Sequence, residues 1–307
     1  MTEGSNAINK DKTDGRTLRN GPRGPYTRRM AEGDDPFRRF AATLSLLMEA
    51  IGIPVYRRKK SNHIYSHRQK IALLVLRERL GLSYEQFERD LPSYRGFLDE
   101  LGMTRIPCNS TLIRFNACVD HDDLQKLITA FSVFCGEEVD VATDCTGFSN
   151  FLRSAHYSKR CRDFGIKGEP RSFTKLSLSV DVKTHIILSG RTSAKKRHDS
   201  QFVVEQAGDL VEAPGLNVRY WIADKGDDSE PLHRYVRGAL GCITVIPCRR
   251  SRGNRGYSTH GVYRNQMKEG IREGGALKAI YDSRPQVETS NFMVKGHTGS
   301  HILSRIE

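Results

Sequence analysis

Four residues near the carboxyl end of the chain have types and a spacing that suit phosphate chemistry. They are Tyr281, Arg284, Glu288 and Lys295. At about 100° per residue, all four fall within an arc of about 60° on a helical wheel, so one continuous helix would present them together. A carboxylate can bind a hard cation while arginine and lysine contact phosphate oxygens. An exposed face with an ordinary Arg284–Glu288 pair is the simpler interpretation, but it leaves Tyr281 and Lys295 without a role.

Two aspartates follow apolar runs upstream and could join Glu288 in one site. Asp144 follows the run 139–143, and Asp224 follows the run 220–223. In open α/β sheets, functional groups gather at strand ends because the loops there line a crevice. Taken singly, each aspartate is more typical of a turn or a helix N-cap. Together with Glu288 they predict a site of three carboxylates.

The elements that must position these carboxylates form an α/β domain after residue 136. The predicted strands are 139–143, 175–182, 184–191, 218–223 and 242–247, and the predicted helices are 201–211, 230–240 and part of 276–294. Strands and helices in this order predict a mixed sheet flanked by helices.

Upstream, from about residue 35 to residue 130, the apolar spacing is helical. Gly81 is a predicted helix end, Ser83 a predicted N-cap, and 109–111 offer N-caps for a further helix. Short helices with glycine-containing turns are typical of helix-turn-helix proteins, which fits DNA binding. However, residues 71–138 carry 7 basic and 11 acidic side chains. A packing or dimerisation role therefore stands beside direct DNA contact.

The charge of the chain points to a polyanionic partner. The 307 residues include 49 Lys and Arg against 36 Asp and Glu, giving a net charge of +13. Nucleic acid is the first candidate for such a partner. Residues 1–34 show no helical period and are predicted to be a flexible basic arm. No run of about 18 apolar residues and no CxxC pair is present, so we expect reduced thiols, no membrane span and a cytoplasmic location.

A segment rich in Gly and Arg, near 249–275, indicates a basic insertion in the α/β domain. Interleaved cations and tyrosines could follow a DNA backbone or stack on exposed bases, and a solvated loop is the alternative. The residues concerned are Arg249, Arg250, Arg252, Arg255, Tyr257 and Tyr263.

The spacing Tyr281-x2-Arg284-x3-Glu288-x6-Lys295 resembles the Y-R-E-K signature of the DDE transposases of bacterial and archaeal insertion sequences. The resemblance runs from about residue 140 to the end and includes AspCysThrGlyPhe at 144–148, HisAspSer at 198–200 and AspLysGly at 224–226. It implies a ribonuclease-H-like catalytic domain over 136–307, preceded by a helical DNA-binding or dimerisation domain over 35–132. It also implies that Asp144, Asp224 and Glu288 are the catalytic triad.

The same resemblance implies metal-dependent cleavage and joining of DNA strands. Two Mg²⁺ or Mn²⁺ ions held by the triad suit the charge that develops on attacking and leaving oxygens. Expected partners are double-stranded DNA, as terminal inverted repeats and target, and further copies of the chain in a dimer or higher oligomer. Expected DNA contacts are Tyr281, Arg284, Lys295, Arg249, Arg250, Arg252 and Arg255. The location would be the nucleoid of a prokaryotic cytoplasm.

Departures from the family pattern keep alternatives open. Asp227 stands where relatives usually have an aromatic residue, so Asp227 and Asp228 compete with Asp224 as ligands. Pro285 could start the helix and leave Tyr281 off its face. The chain ends twelve residues after Lys295, where relatives commonly continue. The alternatives are a catalytically inactive or truncated DNA-binding remnant and a ribonuclease-H-like nuclease without strand transfer. Cys145 is expected to be an inert thiol, and His198 a helix cap.

Overall fold

The computed structural model begins with a helical region that precedes a mixed sheet. The structure describes residues 35–57, 63–150, 163–164, 173–194, 197–213, 215–249, 261–299 and 301–302. The predicted basic arm over 1–34 lies outside these residues. The helices of the first region are α1 (Pro36–Ala50), α2 (His67–Leu80), α3 (Tyr84–Asp90), α4 (Arg95–Glu100), α5 (Asn109–Ala117) and α6 (His121–Ala130).

Local capping explains where several of these helices begin and end. Ser66 and Ser83 each accept a hydrogen bond from a third-residue backbone N–H while that residue's glutamine side chain bonds back. Gly81 ends α2 with a φ of 65°, a conformation that favours glycine. The predictions for Gly81 and Ser83 are therefore confirmed. The prediction of N-caps at 109–111 is wrong, because the extended residue before α5 is Cys108.

The helical region has its own core. Leu73, Phe87 and Phe97 are completely buried in it, with Leu44 and Leu112. Burying a side chain of this size contributes about 1.5–3 kcal/mol, so these residues dominate the stability of the region. The region also contacts the sheet through α6, where Thr129 Oγ1 donates to the Leu188 carbonyl at 3.0 Å.

The second region is a mixed sheet with the strand order β3-β2-β1-β4-β5, and β6 pairs with β1. Strands β1, β2 and β3 are antiparallel neighbours, while β4 and β6 run parallel to β1 and β5 parallel to β4. The strands are β1 (Glu138–Asn150), β2 (Phe173–Asp181), β3 (Ile187–Ser193), β4 (Asn217–Ile222), β5 (Ile243–Val245) and β6 (His301–Ile302). This order agrees with the ribonuclease-H-like sheet that the resemblance implies.

Helices cover both faces of this sheet. They are α7 (Asp199–Val211), α8 (Glu230–Leu240), α9 (Val262–Gly270), α10 (Lys278–Tyr281) and α11 (Pro285–Thr298). Buried residues of α7 and α8 share one core with Trp221, whereas Val287 of α11 shares the opposite core with Ile222. Since Trp221 and Ile222 are consecutive, they point to opposite faces of the sheet. The predicted α/β architecture is confirmed.

One strand prediction for this region is wrong. Strand β1 does not end at Thr143, because pairing with β2 continues it to Asn150. The alternative of a solvated loop for the basic segment does not hold for its later part, which contains α9. A helix within 276–294 is confirmed, and it begins at Pro285, which is one of the two possibilities that the sequence leaves open. Within the described residues, no helix is both long and apolar enough to cross a membrane.

Candidate functional site

Strand register brings Asp144 and Asp224 to the same edge of the sheet. The parallel pairing of β1 with β4 ends where Ala142 lies opposite Ile222. Asp144 and Asp224 are each two residues beyond that last pair, on chains about 4.8 Å apart. Asp144 therefore lies within β1, just beyond the last residue of β1 that pairs with β4. The expectation that the two carboxylates lie together holds even though the predicted strand end is wrong.

Helix α11 supplies the immediate surroundings of Asp144. Arg284 Nη1 lies 3.7 Å from Asp144 Oδ1. Asn291 Nδ2 donates to Asp144 Oδ2 at 3.4 Å. Burial raises the pKa of Asp144; the Arg284 cation opposes this shift, and the negative charges of Glu288 and Asp224 add to it. The three predicted carboxylates are therefore close enough to repel one another.

Glu288 lies in the first turn of α11, with Arg284 at its N-cap position. The same helix carries Val287, Ser290 and Asn291, which are buried. Arg284 Nη2 lies 2.5 Å from Glu288 Oε1, and Glu288 remains 53% exposed. Arg284 therefore lies between Glu288 and Asp144 and compensates part of their charge.

Tyr281 and Lys295 reach the same neighbourhood from different elements. Tyr281 is the last residue of α10 and Pro285 starts α11, so one continuous helix does not carry all four residues, and the alternative that places Tyr281 outside the helix of Lys295 is confirmed. Burial raises the pKa of Tyr281, while Arg284 lowers it by charge and by a hydrogen bond, and Asp224 raises it. Lys295 Nζ lies 5.5 Å from the centre of the Phe148 ring on β1. Tyr281 lies beside Arg284, and Lys295 lies beside the strand that carries Asp144.

The loop after β4 gives its three candidate aspartates, Asp224, Asp227 and Asp228, different environments. Asp224 caps a short 3₁₀ turn by accepting from the Gly226 N–H at 3.3 Å, so it also fills the ordinary capping role. The side chain of Asp228 is fully buried and accepts from Arg264 at 2.6 and 2.8 Å. Burial opposes ionisation there, but hydrogen bonds from His233 and Arg264 hold the pKa of Asp228 well below its ordinary value. Asp228 is a structural anchor rather than a candidate ligand.

Asp227 is also buried, but its pKa is shifted in the opposite direction to that of Asp228. It is 7% exposed, and its Oδ1 atom has no hydrogen-bond partner in the described part of the chain. Burial, reinforced by the charges of Asp199 and Asp224, raises the pKa of Asp227 to about 7. Asp227 is therefore a fourth carboxylate beside the predicted three, and its unsatisfied oxygen would gain from a cation.

Of the four arginines of the basic insertion that are expected to contact DNA, Arg249 is the one within the described residues, and it lies in contact with the loop after β4. Arg249 Nε donates to the Lys225 carbonyl at 2.7 Å, and the backbone N–H of Arg249 donates to the Asp228 side chain. The Arg237 guanidinium covers one face of the Tyr263 ring, at 4.3 Å from the ring centre. Arg250, Arg252, Arg255 and Tyr257 lie outside the described residues, as do Lys195 and Lys196.

Sequence reasoning missed two polar contacts at the site. Asn291, three residues after Glu288, is buried and bonds Asp144, and a polar residue on the apolar face of α11 was the available signal. Lys175 Nζ lies 2.5 Å from Asp199 Oδ1, within the HisAspSer motif. His198 caps α7 as predicted, since its Nδ1 accepts from the Ser200 N–H. Burial raises the pKa of Cys145 to about 12, which agrees with an inert thiol.

The donor set suits hard divalent cations, although the side chains are not yet gathered around one point. Carboxylate oxygens are the ligands that Mg²⁺ and Mn²⁺ prefer. Among the described residues, no group of three or more His, Cys, Asp and Glu side chains could hold a metal ion as they stand. The Arg284–Glu288 pair is one reason, because it occupies a Glu288 oxygen.

Comparison with protein families decides the identity of this region. The model of the transposase DDE domain matches residues 139–305, more than half of the chain. The chain belongs to the transposase DDE domain family. Asp144, Asp224 and Glu288 all lie within the matched part of this transposase. The comparison with curated proteins finds no match. Among solved structures, the chain is similar to a piggyBac transposase in a synaptic complex with hairpin DNA, with 14% identity and a TM-score of 0.40, over 88% of this chain and 70% of that one.

Proposed function

We propose that this transposase binds the ends of a mobile DNA element, cuts the DNA there and joins the freed end to target DNA. The observation that carries the proposal is the match to the transposase DDE domain, within which Asp144 and Asp224 follow paired positions of adjacent strands and Arg284 lies between Asp144 and Glu288. Carboxylates from separate elements around one sheet edge are suited to phosphodiester chemistry with divalent cations.

In this proposal, Asp144, Asp224 and Glu288 hold two Mg²⁺ or Mn²⁺ ions. Such ions, when bound, stabilise negative charge on the attacking and leaving oxygens. The raised pKa of Asp144 supports this assignment, because a carboxylate buried among like charges gains most from a nearby cation. Among the described residues, Asp227 Oδ1 has no hydrogen-bond partner, which makes Asp227 an additional candidate ligand.

The cations around the triad have a positioning role in the proposal. Arg284 is held by Glu288 and faces Asp144, so a DNA phosphate arriving at the site would offer it an alternative partner. Lys295 and Tyr281 would hold the terminal nucleotides, and Arg249 the phosphates along the loop after β4. Water would serve as the nucleophile for cleavage, and the resulting 3′-OH would then attack the target strand.

The domain organisation supports a division of labour. We assign 35–132 to DNA binding or dimerisation and 136–307 to catalysis, with a homodimer or a higher oligomer on the DNA, in the nucleoid of a prokaryotic cell. Contact between α6 and β3 joins the two regions, because Gln125 Oε1 accepts from the Gly190 N–H and Thr129 bonds Leu188. A fixed contact of this kind would orient bound DNA relative to the catalytic edge.

A strand-transfer assay tests the proposal. The full chain is incubated with labelled DNA that carries the terminal inverted repeats flanking its gene, with target DNA and Mg²⁺ or Mn²⁺. Joined product is expected, and Asp144→Asn and Glu288→Gln should each abolish it. Glu212→Gln, which changes an exposed carboxylate at the end of α7, is the matched control and should retain it.

Two other functions are outcomes of the same assay. Cleavage without joining would identify a ribonuclease-H-like nuclease. Binding without cleavage would identify an inactive DNA-binding remnant, which one observation favours: the Arg284–Glu288 pair occupies an oxygen that metal binding needs. Either result would contradict the proposed transposition reaction.

A further inference from the structure

A cleft in the helical region combines aromatic rings with cations. Its volume is about 400 Å³, within the range of small-molecule sites. The cleft lies between the start of α2, the end of α5 and the chain that precedes α2, outside the matched DDE domain. The residues that matter are Tyr56, Arg57, Tyr65, His67, Lys70 and Phe115.

Tyr56 forms an exposed platform that is fixed from one side. Its ring stacks on the His63 ring with centroids 4.2 Å apart and planes at 22°. Tyr56 Oη also donates to the His63 carbonyl at 3.3 Å. His63 has a φ of 51°, an unusual backbone conformation for a residue other than glycine, and such positions concentrate at binding sites. The Tyr56 ring nevertheless remains 40% exposed.

The two cations of the cleft differ in their availability. Arg57 lies 2.5 Å from Asp120 and 2.6 Å from Asp123, and Asp123 also bonds the buried His67 at 2.7 Å. Lys70 Nζ lies 5.4 Å from the centre of the Phe115 ring. In the described part of the chain, Lys70 has no carboxylate within ion-pair distance. Arg57 is therefore part of the wall, whereas Lys70 offers its charge to a ligand.

Tyr65 adds a second ring and a nearby cation. Burial raises the pKa of Tyr65, the charge of Cys108 adds to the shift, and the charge of Arg105 opposes it. Arg105 therefore lies near Tyr65. The cleft combines aromatic rings with the positive charge of Lys70.

We propose that this cleft binds an unpaired DNA nucleotide, with its base stacked on Tyr56 and its phosphate held by Lys70. A nucleotide has both features that the cleft complements, a flat π surface and a negative charge. Paired duplex DNA has its base faces covered by stacking, so it can offer only phosphates to Lys70. The cleft should therefore distinguish single-stranded from double-stranded DNA. This inference involves none of the proposed catalytic carboxylates and does not depend on metal.

Fluorescence anisotropy tests the proposal on the full chain with EDTA present. The probes are a labelled 20-nucleotide single strand and the same strand in a blunt duplex. Tyr56→Ala should weaken single-strand binding by about 5- to 150-fold, the range for loss of one stacked base, and should leave duplex binding within about twofold. Lys70→Ala should weaken single-strand binding and lower its salt dependence by roughly one phosphate contact.

Two variants control for folding and for aromatic content. Tyr56→Phe keeps the ring and should bind single strands like wild type. Tyr235→Ala removes a similarly exposed tyrosine on α8, 43% exposed, and should have no effect. The proposal is overturned if Tyr56→Ala binds single strands as wild type does, or if it loses duplex binding to the same extent. Failure of the strand-transfer assay would leave these binding results unaffected.

Discussion

The helical region and the candidate site each contain a buried aspartate, and the two aspartates have different surroundings. In the helical region, Asp123 is buried, but His67 and Arg57 both bond it. In the loop after β4, Asp227 is equally buried, and its Oδ1 has no hydrogen-bond partner among the described residues, although the neighbouring Asp228 is fully paired. A buried acid without a partner costs stability. Under the proposed function, the fold keeps this cost at Asp227 because the carboxylate serves a ligand.

The largest expected effect is on catalysis, and it tests the proposed role of the site that contains Asp227. Asp224→Asn should lower strand cleavage by at least about 10³-fold, because it removes charge that the divalent ions need. Glu212→Gln should stay within about twofold of wild type. Initial rates of cleavage of element-end DNA measure both. Equal rates for wild type and Asp224→Asn would contradict the assignment of Asp224.

A second prediction concerns the paired acid. Asp123→Ala should lower the free energy of unfolding by about 3 kcal/mol, because it removes the buried acceptor that His67 and Arg57 share. Asp90→Ala removes an exposed partner of Arg89 and should cost under about 1 kcal/mol. Urea denaturation of the two variants checks the difference. Similar losses for both would show that the Asp123 network adds nothing.

A third prediction concerns Asp227, whose replacement should raise the free energy of unfolding instead of lowering it. Its folded-state pKa, about 7, lies above the ordinary value of 3.8. A raised carboxyl pKa leaves stability intact at low pH and removes it as pH rises from about 4 to about 7. Asp227→Asn should therefore be more stable than wild type at pH 7.5, by about 4 kcal/mol, with the gain vanishing near pH 4.

Thermal denaturation across this pH range, without divalent metal, measures the gain. A variant that is less stable than wild type at pH 7.5 would show that Asp227 is paired in the folded protein. The contrast between Asp123 and Asp227 would then disappear.

The smallest effect expected is local. Ser66→Ala should cost about 1 kcal/mol, because it removes the side-chain half of the capping box at the start of α2. Ser83→Ala is the parallel case at α3 and should cost about the same. Chemical denaturation detects losses of this size. A loss above about 3 kcal/mol would mean that the cap also supports tertiary packing.

These contrasts also show what the sequence can predict. Gly81 and Ser83 are read correctly because capping depends on a few adjacent residues. The proximity of Asp144 and Asp224 is also predictable, since parallel strands bring their carboxyl ends to one edge. The continuation of β1 past Thr143 depends on pairing with β2, about 30 residues away. The burial of Asp227 and the Asn291–Asp144 bond likewise depend on tertiary packing, so no local pattern reveals them.

We propose above that Asp144 and Asp224 at one sheet edge, together with Glu288 of α11, carry out metal-dependent strand transfer. The most direct measurement is the amount of joined DNA formed by wild type, Asp144→Asn and Glu212→Gln with Mn²⁺ and element-end DNA. We predict joined product for wild type and Glu212→Gln and none for Asp144→Asn, which should still bind the DNA. Undiminished joining by Asp144→Asn, or no joining by wild type bound to its own inverted repeats, would contradict the claim.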